Sequence, residues 1–105
     1  MRRKRRYLVI SVRPPDSVDG QKAFEALKDS VRKLFGEVGL LSSDLRLVRG
    51  EGHRIVVRCS SDQTWNVVFA ATLVSEVDGK KVALDVVRVS GTLRKVKGFL
   101  AGDHS

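Results

Sequence analysis

The stretch LRLVRGEGHRIVVRCSSDQ, residues 45–63, decides the fold. Two apolar runs, Leu45–Arg49 and Arg54–Cys59, are separated only by Gly50-Glu51-Gly52-His53. Short apolar runs joined by a glycine-bearing turn predict a hairpin. Ser60, with Gln63 three positions on, then has the capping-box pattern that opens a helix, expected to run to about Val77. A hairpin thus sits mid-chain with a helix directly behind it.

Working outward, Gly39 and Ser42-Ser43-Asp44 punctuate a connection into that hairpin. Before it, Ser17 or Asp19 can cap a helix through about Phe35. Phe24, Leu27, Val31, Leu34 and Phe35 fall at helical spacing along it, and Gly36 ends it. Tyr7–Val12, rich in β-branched residues and stopped by Arg13-Pro14-Pro15, reads as a central strand. Beyond the second helix, Asp78-Gly79 turns the chain and Val82–Ser90 is a fourth strand. The segment GTLRKVKGFL continues as a ribbon or a short helix. The order is β-α-β-β-α-β. It predicts an α+β, ferredoxin-like or RNA-recognition-type two-layer sandwich, with a four-stranded antiparallel sheet ordered fourth, first, third, second. The 105 residues make one domain, with 1–6 as a basic run and 101–105 expected as a disordered tail.

Charge is unevenly placed. Residues 1–6 carry five positive charges, and residues 80–105 hold six basic and two acidic groups. Between them, nine basic and ten acidic groups nearly cancel. A neutral body with basic ends points to a polyanion partner. In the expected topology the start of the first strand lies beside the ends of the third and fourth. Arg2, Arg3, Lys4, Arg5, Arg6, Arg58, Arg94, Lys95 and Lys97 would then form one basic edge and are the candidate RNA-binding residues. Leu8, Ile10 and Val12 belong to the core face, which leaves Tyr7 on the other. The third strand carries no aromatic beside it, so phosphate and shape recognition is better supported than base stacking.

The second helix is apolar nearly all round. With Trp65, Val68, Phe69, Leu73 and Val77 assigned to the core, Val67, Ala70, Ala71 and Val74 remain outward and are the candidate protein-partner surface. No catalytic residue is assigned. Asp62, Asp78 and Asp85 are scattered, His53 and His104 are far apart, and the lone Cys59 reads as a small apolar residue. Metal ligands are not expected either, and no cofactor is assigned to this chain. No apolar run reaches the roughly 20 residues of a membrane span, and no secretory signal is evident, so a cytosolic protein is expected.

Four segments together resemble a known family: RRYLVISV (5–12), ALKDSVRKLFGEVGLLSSDLRLV (26–48), IVVRCSSD (55–62) and VRVSGTLRKVKGFL (87–100). In order and spacing they are similar to the small RNA-recognition-fold protein subunit of archaeal and eukaryotic ribonuclease P. The most specific pieces are LFGEVGL (34–40), the strand-end Arg58-Cys59, and Ser90-Gly91-Thr92 followed by basic residues. The segment SSDQTW (60–65) is less basic than the resemblance leads one to expect. The resemblance implies an RNA-binding subunit of the endoribonuclease that removes the 5′ leader of precursor tRNA. The chemistry would belong to the RNA and its Mg²⁺. Implied partners are the catalytic domain of ribonuclease P RNA and a larger barrel-like protein subunit, in a dimer of heterodimers, with precursor tRNA met indirectly. The compact length looks archaeal, hence cytoplasmic; a eukaryotic form would be nuclear. The alternatives are another structured-RNA or ribosome-associated module, or a ferredoxin-like small-molecule regulatory domain.

Overall fold

Strand β1 (Arg5–Arg13) is the centre of the computed structural model, which describes residues 4–94. After it come helix α1 (Gly20–Ser43), the hairpin β2 (Arg46–Glu51) and β3 (Arg54–Ser60), helix α2 (Thr64–Thr72), a small hairpin β4 (Glu76–Val77) and β5 (Lys80–Lys81), and β6 (Ala83–Ser90). The main sheet has the order β2-β3-β1-β6, every neighbour antiparallel, as the element order predicts. Alternation along β1 sends Leu8, Ile10 and Val12 to the helix side, where they meet Ile55, Val57, Cys59 and Leu84. Ala23, Phe24, Leu27 and Val31 of α1 close that layer from above. On the other side Val9 and Val56 form a second, smaller cluster with Tyr7 and Val48 packed against it.

Asp19 caps α1, accepting the Lys22 backbone N–H at 2.8 Å. The helix does not finish at Gly36. It breaks there, at φ 74° and ψ −179°, and resumes to Ser43 before Asp44 closes it in the left-handed conformation. Only glycine occupies that region of φ/ψ comfortably, so Gly36 acts as a joint and not as a stop. Gly39 lets the second segment lie against the first: a Cβ there would fall 2.3 Å from that of Phe35. The expected connection over 37–43 is therefore helical.

α2 departs from expectation at both ends. Ser60 stays in the β-ladder, paired with Arg5, and makes no side-chain cap; the chain enters α2 through a single 3₁₀ turn at Ser61–Gln63. The Thr64 hydroxyl donates to the Ser61 carbonyl at 2.8 Å and secures that entry. The helix ends at Thr72, because Glu76–Val77 pairs with Lys80–Lys81 around Asp78-Gly79, both at positive φ. Val77 is buried from the hairpin and not from a helix.

The outward face of α2 is also the reverse of the expected one. Val67, Ala70, Ala71 and Val74 are buried in the core, whereas Trp65, Phe69 and Leu73 are 74%, 52% and 51% exposed. Alanines permit close approach: the Ser30 hydroxyl of α1 donates to the Ala70 carbonyl at 2.8 Å. A large side chain at 70 or 71 would hold the two helices apart, so the small residues turn inward.

Candidate nucleic-acid interface

The ladder sets the candidate basic edge. The Lys4 carbonyl accepts the Ser61 N–H at 2.9 Å, which fastens the end of the N-terminal run to the β3–α2 junction. Arg5 then pairs with Ser60, Arg6 with Cys59 and Tyr7 with Arg58, while Tyr7 pairs with Ser90 on its other side. A methyl built on Gly91 would lie 3.5 Å from the Arg6 guanidinium, so the segment after β6 passes directly beside Arg6. Arg94 follows three residues later and is exposed. Lys4, Arg5, Arg6 and Arg58, far apart in sequence, thus meet at one end of the sheet, and Arg94 lies on the segment that leaves it past Arg6. Arg2, Arg3, Lys95 and Lys97 lie outside the described residues, as does the tail at 101–105.

Electrostatics separates the two ends of the sheet. At the end opposite the basic edge the cations are neutralised: Arg13 sits 3.0 Å from Asp85, Lys22 2.7 Å from Asp78, and Arg49 3.5 Å from Glu51. Among the described residues, Lys4, Arg5, Arg6, Arg58 and Arg94 have no carboxylate within ion-pair distance. Uncompensated like charge held in one place by a β-ladder attracts a polyanion.

Two features escaped the sequence reading. Arg46 pairs directly with Arg58, so it joins the edge on the side of the sheet that faces away from the helices. Arg88 pairs with Val9 on that same side. Arg46, flanked by the core residues Leu45 and Leu47, was legible by parity; Arg88 was not, because a bulge opposite Val9 and Ile10 reverses the alternation that Leu84 and Val86 set. Exposed apolar surface was expected from α2 but not from the second half of α1, where Val38 and Leu41 are each 77% exposed.

The lone cysteine, Cys59, is fully buried, and burial pushes its thiol up, against the opposing pull of the Thr64 hydroxyl and of nearby Arg6. No cluster of His, Cys, Asp or Glu suited to a metal occurs among the described residues. A cleft of about 600 Å³ at the far end is lined by Asp16, Asp19, Lys22, Asp78 and Lys80. Its charges are of both signs and partly paired with one another, which suits solvent better than a small organic ligand. Among the described residues no helix is long and apolar enough to cross a membrane.

The model of the Rpp14/Pop5 family matches residues 6–101. Ribonuclease P protein component 2 of Archaeoglobus fulgidus is 32% identical over 97 residues, covering 92% of this chain and 88% of the relative. The protein of the same name from Pyrococcus furiosus is 27% identical over 99 residues, covering 92% and 82%. A chain in the cryo-EM structure of yeast ribonuclease MRP superposes with a TM-score of 0.71 at 12% identity, over 99% of this chain and 96% of that one, and so shares its fold. The stretches that carry the resemblance lie almost wholly inside the matched residues, and this chain belongs to the Rpp14/Pop5 family.

Proposed function

We propose that this chain is an RNA-binding protein subunit of ribonuclease P, supporting the catalytic RNA in removal of the 5′ leader from precursor tRNA. The observation that carries the reading is the set of cations, drawn from three separate segments and lacking acidic partners among the described residues, at one end of the sheet. Family membership and the names of the archaeal relatives supply the particle. The enzyme is the ribonucleoprotein. This chain binds and orders the catalytic domain of the RNA, and the Mg²⁺ that serves cleavage is held by that RNA. The archaeal relatives support a cytoplasmic particle.

The exposed stripe of Trp65 and Phe69 on α2 and Leu73 at its C-cap, four residues apart, is the surface we assign to the larger barrel-like protein subunit. Val38 and Leu41 supply a second apolar surface on a different helix, suited to pairing two such heterodimers. Light scattering on the purified pair should show two copies of each chain; a single copy of each would remove that assignment.

The deciding experiment is reconstitution. The cognate RNA is combined with the barrel-like subunit, with and without this chain, and cleavage of precursor tRNA is followed in moderate Mg²⁺. Faster cleavage with the chain present is expected. An unchanged rate would sink the reading. Tight, specific binding of a small metabolite would instead favour a regulatory domain.

A further inference from the structure

One row across the sheet stands out on physical grounds. Arg46 pairs with Arg58, Arg58 with Tyr7, and Tyr7 with Ser90, so all four side chains leave the sheet on the same side. That side faces away from the helices, because the flanking Leu45, Leu47, Val57, Cys59 and Leu8 all belong to the main core. Two arginines directly opposite each other in a ladder repel, and such a pair is a local cost to the sheet. Among the described residues, the one carboxylate in ion-pair range of either is Asp44, 3.6 Å from the Nε of a largely exposed Arg46. The Nε of Arg58 is buried and donates to no acceptor. An arginine whose Nε is buried without an acceptor, in cross-strand register with a second arginine, leaves this row with donors in excess of acceptors, an imbalance that an anion at its surface would offset.

Tyr7 completes the row. It is half-buried and packs against Val9 and Val56, both fully buried, so its ring rests on a fixed apolar floor beside Arg58. Aromatic rings and guanidinium planes are the surfaces on which proteins stack unpaired bases. We infer that Arg46, Arg58 and Tyr7 form a single-nucleotide subsite, in which the two arginines hold a phosphate and the Tyr7 ring stacks the unpaired base attached to it. The inference rests on the RNA-binding reading and deepens it, since it adds a contact to a base to what would otherwise be backbone recognition alone.

The test uses the full chain and two probes, the single-stranded hexamer r(A)6 and inorganic polyphosphate of matched charge. Tyr7 is the chain's one tyrosine, so its ring resonances are assigned without ambiguity. Adding r(A)6 should move them upfield, whereas polyphosphate should not. Tyr7→Leu keeps apolar bulk over Val9 and Val56 but removes the ring. It should weaken r(A)6 about tenfold, within the range for loss of one stacked base, and leave polyphosphate binding unchanged. Tyr7→Phe should restore it. Arg46→Gln combined with Arg58→Gln should weaken both probes. If Tyr7→Leu binds r(A)6 like the parent while Arg5→Gln with Arg6→Gln weakens it, the subsite is wrong and the RNA reading stands. Should no variant alter binding of either probe, the RNA reading falls with it.

Discussion

At the scale of single residues, Gly36 is constrained by its backbone and not by its neighbours. At φ 74° and ψ −179° it holds a conformation that a side chain resists. Gly36→Ala should cost about 1–3 kcal/mol in urea unfolding although a Cβ there meets nothing within 4 Å. An unaltered midpoint would show that the two halves of α1 can rejoin without the joint. The Lys22–Asp78 pair sets a pH dependence. The Lys22 ammonium beside Asp78 holds that carboxyl below the usual carboxylate range, and Asp78 in turn raises Lys22. A depressed carboxyl contributes stability above its unfolded value and loses it as pH falls through its folded one. A raised ammonium loses its contribution only as pH climbs through the alkaline range. Asp78→Asn keeps a residue that tolerates the positive φ of 52°. It should therefore be slightly less stable than the parent at neutral pH, with the two converging in acid once the depressed carboxyl is protonated. Parallel curves throughout the acid range would deny the pair any role.

At the scale of elements, legibility in the sequence follows from how sharply a pattern repeats. β1 and β3 alternate closely enough that the side of the sheet taken by Leu8, Ile10 and Val12, and the place of Tyr7 opposite them, could be read directly, while the register of the ladder could not. α2 has no such contrast. With Trp, Val, Phe, Ala and Leu all round it, periodicity names two candidate faces and cannot choose. Burying the larger side chains looks better by apolar area alone. The depth of the two-layer sandwich decides otherwise, since Ala70 and Ala71 allow contact with Ser30 of α1 where bulk would not. Ala70→Leu should thus cost about 1–3 kcal/mol through overpacking. Trp65→Ser with Phe69→Ser should change stability by less than about 1 kcal/mol yet abolish capture of the barrel-like subunit in size-exclusion chromatography. Retained capture would free the stripe from that role. Gly36 was misread for a related reason, because a glycine that ends a helix and one that bends it look alike until the chain beyond is packed.

At the scale of the whole molecule, the antiparallel order turns a sequence-distant set of charges into one pole. Neutralising Arg5, Arg6 and Arg94 together should lower affinity for the RNA and reduce the slope of log K against log salt. The expected reduction is about 0.7 to 0.9 for each phosphate that is no longer neutralised, with circular dichroism unchanged. An identical slope would remove this end of the sheet from the interface. The compositional asymmetry was visible in the sequence, but the uncompensated state of the pole was not. It depends on Arg13, Lys22 and Arg49 having found acids at the opposite end, which only the packed chain shows.

The same ladder brings Lys4 and Gly91 to one end of the sheet, on either side of Arg6, while the β2–β3 turn at Gly52-His53 lies at the other, its His53 carbonyl taking the Val12 N–H at 2.7 Å. A dye or cross-linker attached beside Lys4 or Gly91 would therefore crowd the pole that is to be measured. A label carried on that turn, at His53 and not at Gly52 with its φ of 59°, would stand a full strand's length away, and it is there that surface immobilisation or a fluorophore should be placed.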